Sequence, residues 1–286
     1  MFFMKKTVLF VVLSALGFQT HANTFQYEVR ANLDHFHNDS SDGFETEDDI
    51  YNLTGTYYLT PVEAKGHPYA QAGFMARANN LSLHYAHNTV EMSSPSSLDV
   101  NEHYHQDSTT KSLTAMARFF WLDGWLYTSV GATESRDKYT LNTHYNGELT
   151  ESDGGEYHDH WRGQASIGIS PFAGLLVYTN FYEGTNYNDR PNLNVQYLHS
   201  FDTTAIATHL RYVDYHDNNV IHLDVDYYLT QSFSIGASVE HAEHYSLESD
   251  WAINSRYFVT PTISIEGSYK DYSGGEALTF GASVRF

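Results

Sequence analysis

Three His-x-His pairs, His35/His37, His103/His105 and His158/His160, have the spacing that first suggests chemistry. In a β-strand, residues i and i+2 share a face, so each pair could clasp a metal ion through two imidazoles. A stable site needs further convergent donors, and the chain of 286 residues has no cysteine to supply one. No third ligand can be assigned, so the pairs read as solvated loop or rim residues, and no metal or cofactor is expected. Serine and the 17 histidines are plentiful, so some Ser–His pair would arise in any arrangement. A lipid hydrolase needs that pair with an orienting polar group, and a barrel protease needs Asp facing His; geometry, not composition, identifies either. No segment carries such an active-site motif, and no catalysis is expected.

What would position these side chains is a ladder of strands. Beyond the first two dozen residues the dominant period is two. Phe25, Tyr27, Val29, Ala31 and Leu33 alternate with Gln26, Glu28, Arg30, Asn32 and Asp34. Ile221, Leu223, Val225, Tyr227 and Leu229 alternate with His222, Asp224, Asp226 and Tyr228, and the chain ends with Leu278, Phe280, Ala282, Val284 and Phe286 at alternate positions. Such alternation puts one set of residues on each face of a sheet. Continued along the chain it gives about fourteen segments, with about 12 or 16 as the even alternatives. They lie near 24–36, 49–60, 68–87, 109–121, 125–137, 158–170, 174–184, 191–199, 203–215, 219–229, 233–242, 249–260, 262–271 and 275–286. The third changes parity between Ala76 and Leu81, which predicts a bulge. The seventh is apolar on both faces from Leu175 to Tyr182, which leaves its orientation open. Connections after even-numbered segments are mostly short, whereas three long loops, near 37–48, 88–108 and 138–157, follow odd-numbered ones. All six prolines fall in connections or at a strand's first residue, where no ladder donor is lost.

Lys5-Lys6, the apolar run Thr7 to Phe18 and the small-residue site ending at Ala22 have the layout of a cleavable secretory leader over 1–22, which leaves 23–286 as the mature domain. The apolar run is shorter than the roughly 20 residues of a spanning helix. A mean hydropathy of −0.45 looks soluble, yet 15% of residues are aromatic. A barrel in lipid reconciles the two, because only alternate residues touch hydrocarbon. The competing fold, a soluble β-sandwich, does not account for the leader, the long-short asymmetry of the connections or the aromatic clusters at segment ends. Those clusters, Phe119-Phe120-Trp121 with Trp125, and Tyr57, Tyr197, Tyr227 and Tyr257, suit girdles at the lipid–water boundary. Net charge is −20, and losing Lys5 and Lys6 with the leader would make it −22. Nucleic acid is therefore excluded as a partner, since phosphate contacts need clustered bases. The fold class expected is all-β: a closed antiparallel transmembrane barrel in the Gram-negative outer membrane, both termini periplasmic, bounded by lipid and lipopolysaccharide.

Parity then sorts the charges. Arg30, Arg77, Arg118, Arg162, Arg211, Arg256, Arg285 and Lys270 fall on the interior set, with the acids Glu28, Asp34, Asp224, Asp226, Glu240 and Glu266. An arginine facing lipid at midplane costs about 2–4 kcal/mol, whereas one in a watered lumen stays solvated. Opposed basic and acidic sectors would screen passing solutes with a transverse field; the same groups could instead form a salt-bridged plug. Side chains alone fill a barrel of about eight strands but not one of about fourteen, which favours an open lumen. The excess acid lies in the connections, with Asp39, Asp42, Glu45, Glu47 and Asp48 in the first and Glu148, Glu151, Asp153 and Glu156 in the third. A negative mouth would give a mild cation preference, although the same acids could serve solvation alone.

The last strand, ending on Phe286, resembles the C-terminal signature that the barrel-insertion machinery recognises in outer-membrane proteins. Tyr57-Tyr58-Leu59-Thr60-Pro61, followed by Ala70-Gln71-Ala72-Gly73-Phe74-Met75-Ala76-Arg77-Ala78, resembles the start of the putative general bacterial porin family. That resemblance implies passive diffusion of small hydrophilic solutes, without naming one. Two alternatives stay open: a channel specific for acidic oligosaccharides, with the arginines as its track, and a barrel whose long loops act as an adhesin or receptor, the outer-membrane hydrolase being the remaining possibility. Composition does not separate monomer from homotrimer.

Overall fold

The computed structural model describes residues 24–39, 45–64, 66–94, 102–145, 148–183, 191–215, 218–242, 249–272 and 275–286. The leader 1–22 lies outside them, as do Asp42 and the side chains of His103, His158 and His160. Fourteen strands form: β1 Thr24–Asp39, β2 Glu45–Glu63, β3 Asn80–Ser93, β4 Glu102–Trp121, β5 Leu126–Tyr145, β6 Glu148–Ile169 and β7 Leu175–Tyr182. The second half holds β8 Asn192–Ser200, β9 Ala205–Tyr215, β10 Asn218–Tyr228, β11 Phe233–Ala242, β12 Asp250–Thr260, β13 Ile263–Tyr272 and β14 Gly275–Arg285. Each pairs antiparallel with the next, and β14 returns to β1, so the sheet is a closed barrel.

Closure follows from the alternation. Outside, the large apolar side chains Leu83, Val130, Ile167, Ile235, Ile253, Ile265 and Phe280 are exposed, forming the band that hydrocarbon would cover. The seam runs from Glu28↔Arg285 to His37↔Glu276. Phe286 finishes it: its N–H donates to the Tyr27 carbonyl at 3.0 Å and its ring stacks on Tyr27. Tyr27, Tyr57, Trp121, Trp125, Phe201 and Tyr257 are exposed around the end that carries both termini, here the near end. Phe120, expected in that girdle, faces inward with its ring 5.2 Å from Tyr127. Phe25 is likewise turned inward by a register shift between Phe25 and Tyr27.

Two expectations change. The long connections are mostly strand: β4, β5 and β6 run 20, 20 and 22 residues, about twice the 9–11 that a tilted strand needs to span. They rise roughly 25 Å beyond the band as a wall. Along this wall Thr, Ser, His and acids occupy both faces, so the apolar half of the alternation thins to scattered residues such as Tyr104, Leu141, Tyr145 and Leu149 while pairing continues. β7 stops at Tyr182 opposite Gln164, so 148–162 of β6 pair on one side only, among the described residues.

The second change concerns residues 68–79, read above as the start of a strand. They belong instead to an inward fold: a 3-10 turn over Tyr69–Gln71 and a one-turn helix, Ala72–Met75. This segment is the floor of the barrel, lying across its near end. On one side Ala72 and Ala78 pack with Phe25, Val62 and Ala64; on the other Ala70, Phe74 and Met75 pack on Leu198, Ala205, Ala207 and Tyr228. Polar anchors reach other strands. The Tyr69 N–H donates to Gln231 O at 2.9 Å, Gln71 Nε2 to Tyr228 Oη at 3.0 Å, and Arg77 Nη2 to Ser170 O at 2.9 Å. The Arg77 stem also crosses Gly124, whose φ of +90° and lack of a side chain both serve that turn.

Arg285 holds the floor to the seam. Its Nη1 donates to Tyr69 O at 2.6 Å, its Nε to Glu28 at 2.9 Å, and its guanidinium lies between the rings of Phe25 and Phe258 at 4.6 and 4.9 Å. Only 2% of it is exposed.

Two stability predictions follow from this packing. Ile253→Arg, on the outer face, should cost about 2–4 kcal/mol, and Ser238→Arg, on the inner face, under about 1 kcal/mol, in urea titrations of the protein folded in lipid vesicles. Arg285→Met leaves the enclosed Glu28 carboxylate with only the longer contact to Arg30, at 3.4 Å, and should cost roughly 3 kcal/mol, most of it recovered in Glu28→Gln/Arg285→Met.

Candidate functional site

The lumen above the floor is lined by the inward set of each strand. Arg30, Arg118, Arg162, Arg211, Arg256, Arg285 and Lys270 occupy inner-face positions, as do Glu28, Asp34, Asp224, Asp226, Glu240 and Glu266. Arg77 does not stand on a strand wall. Its φ is +47°, and it donates to the backbone carbonyls of Asp123 and Ser170 in the floor. Arg162 has inward parity but is exposed above the last β6–β7 pair.

Acid and base are interleaved, not set in opposed sectors. One chain of ion pairs runs Arg285–Glu28–Arg30–Glu266–Arg256, with separations of 2.9, 3.4, 3.9 and 2.6 Å. Arg30 on β1 reaches Glu266 on β13 across β14 because Gly281 stands between them; a Cβ there would lie 2.7–2.8 Å from Glu266. A second cluster joins β9, β10 and β11. The two ring nitrogens of His222 lie 2.9 Å from Asp224 and 3.1 Å from Glu240, His209 lies 3.8 Å from Asp224, and Arg211 lies 3.6 Å from Glu240. Pairing these charges holds adjacent strands in register but leaves little net field across the lumen.

Arg30 and Arg211 are thus neutralised by carboxylates and Arg77 is tied to the floor, so the three do not form a track of free guanidiniums. Arg118, which donates to Asn80, together with Arg162 and Lys270, has no carboxylate partner among the described residues. His209 and His222 were not singled out in the sequence, although both share the parity of Arg211 and Asp224. Nor was the floor, whose one signal was the parity break before Leu81. Of the His-x-His residues, His35 contacts Asp49 at 2.9 Å and His105 contacts Asp107 at 3.2 Å, both on the far-end wall. Among the described residues no three His, Asp or Glu converge to hold a metal.

A cavity of about 780 Å³ opens in the lumen beside β1, β2 and β11–β14, lined by Asp34, Phe36, Asp48, Ile50, Lys270 and Tyr272 among others. A smaller one of about 200 Å³ lies directly over the floor, against Gln71, Phe74, His209, Asp224 and Asp226.

Known proteins place this geometry. The family model described as putative general bacterial porin matches residues 4–116. Comparison with curated proteins returns no match. Among solved structures the chain is similar to the outer membrane protein Omp33 of Acinetobacter baumannii, with a TM-score of 0.62 and 19% identity over 92% of this chain and 99% of that one. The translocator domain of the autotransporter NalP from Neisseria meningitidis gives 0.47 at 12% identity, over 99% of this chain and 95% of that one. A KdgM porin gives 0.41 at 10%, over 90% and 99%. With residues 4–116 matching the putative general bacterial porin family and every strand joined into a closed lipid-facing sheet, the chain is an integral β-barrel of the outer membrane.

Proposed function

We propose that the protein is a passive channel for small hydrophilic solutes, with no catalytic role, whose size limit is set by the floor over Pro68–Asn79. The near end faces the periplasm, the wall of β4–β6 faces outward, and a leader over 1–22 is removed on export. Phe286 serves as the insertion signal. The observation that carries the reading is a charged interior enclosed by fourteen strands, a number too large for side chains alone to fill. With most of the lumen charges paired, ion preference rests on the far end of the barrel, where Glu47, Glu91, Asp107, Glu148, Glu151 and Asp153 outnumber Lys111, Arg136 and Lys138. That excess favours cations mildly, and salt screens it beyond roughly 10 Å at 0.1 M.

A second reading, an adhesive or receptor barrel, draws on the same wall, which presents Tyr104, Tyr145, Leu149 and Trp161 at high exposure. Liposome swelling separates the two. The native barrel should pass a small sugar, and a barrel with 66–77 replaced by a short Gly-Ser turn should also pass larger ones, with severalfold higher conductance in planar bilayers. Reversal potentials in a KCl gradient should show cation preference that fades at high salt. No permeation of any sugar by either form would leave the adhesive reading in its place.

A further inference from the structure

The cavity of about 780 Å³ differs in character from the rest of the lumen. Inner-face positions of a watered barrel are expected to be polar, yet Phe36, Ile50, Ala252, Ala277 and Tyr272 gather here. The Phe36 and Tyr272 rings meet edge to face at 5.3 Å. Around this apolar bed the charges are separated, unlike the interleaved pairs lower down. Asp34 and Asp48 lie on β1 and β2, diagonal neighbours across the Asp34↔Ile50 and Phe36↔Asp48 pairs. Lys270 lies on β13, in the same row as Asp48, with Phe36 and Ala277 between them. Three strand spacings put them roughly 14 Å apart along the concave wall.

The Lys270 ammonium sits 4.0 Å from the Tyr272 ring centroid and has no carboxylate partner among the described residues. At the other end of that row Asn52 donates to Asp34 at 3.0 Å and Asn88 to Asp48, but Asn38 Oδ1 and Asp48 Oδ1 stay enclosed and without a hydrogen-bond donor. A wall that keeps two acceptor oxygens unfilled beside two carboxylates, a lone ammonium further along the same row, and an apolar surface between them are complementary to a molecule with a cationic end, an anionic end and an apolar body. An ammonium brings three donors to the first wall and a carboxylate accepts from the second. The volume lies in the range of small-molecule sites.

We infer that this cavity is a binding station for zwitterionic solutes with apolar bodies, of which short apolar peptides fit the separation of the charges. The inference rests on the channel reading for its biological purpose, but binding can be measured without it. Alanyl-leucine, its C-terminal amide and N-acetyl-alanyl-leucine present both charges, only the cation and only the anion. Titrated calorimetrically into the folded barrel in detergent, alanyl-leucine should bind tightest of the three. Lys270→Met should weaken alanyl-leucine and the N-acetyl form by about fivefold and spare the amide; Asp48→Asn should weaken alanyl-leucine and the amide and spare the N-acetyl form. Heat-modifiable gel migration confirms that each variant is folded. Equal affinity for the three probes, or no binding of any, overturns the inference. Sugar swelling of the same preparations tests the channel reading separately: swelling without peptide binding removes only the station, and binding without swelling removes only the channel.

Discussion

Hydrocarbon offers a backbone no hydrogen-bond partners, and an unpaired amide there costs several kcal/mol. A chain of strands can meet that condition only by closing on itself, so the β1–β14 seam is the contact on which the rest depends. Closure fixes which parity faces lipid, and that parity decides where each charge can stand. It also creates an interior that has to be filled, watered or floored. The protein uses all three solutions at different heights: paired charges on the walls, open volume above, and a folded-in segment across the near end.

Within the floor, apolar packing and charge cooperate. The two buried hydrophobic clusters are both floor-on-wall contacts, on opposite sides of the barrel. Among the described residues the barrel thus shows no layered core of the kind a soluble sandwich would have. Arg285 adds a directional lock, satisfied at once by a carboxylate, a carbonyl and two ring faces. Such a buried guanidinium is tolerable because each of its neighbours is positioned to receive it.

The period of two carries most of the fold in the sequence, and the eighth to fourteenth strands lie within two residues of where alternation puts them. It fails where alternation persists for another reason. Ala70, Ala72, Phe74, Ala76 and Ala78 read as a strand face, but small residues at every second position equally suit a tight turn and a single helical turn packed inside a wall. In the upper halves of β4, β5 and β6 the opposite happens: both faces meet water, so strands continue with only a sparse apolar signal, Tyr104, Leu141, Tyr145 and Leu149 among polar residues. Inner-face charges were legible one by one from parity. Their partners were not, because the contact between Arg30 and Glu266 depends on a glycine in the strand between them.

The position of the floor in the chain constrains assembly. Residues 68–79 follow the second strand, while Leu198, Tyr228, Phe258 and Arg285, which grip them, lie on strands far along the sequence. The segment can complete its packing only when those distant strands are in place. Its final clasp is the penultimate residue, on the very strand that zips the cylinder shut. Sealing the wall and fastening the floor therefore draw on the same strand, and a barrel that closed with this segment outside would leave Arg285 without its Tyr69 carbonyl.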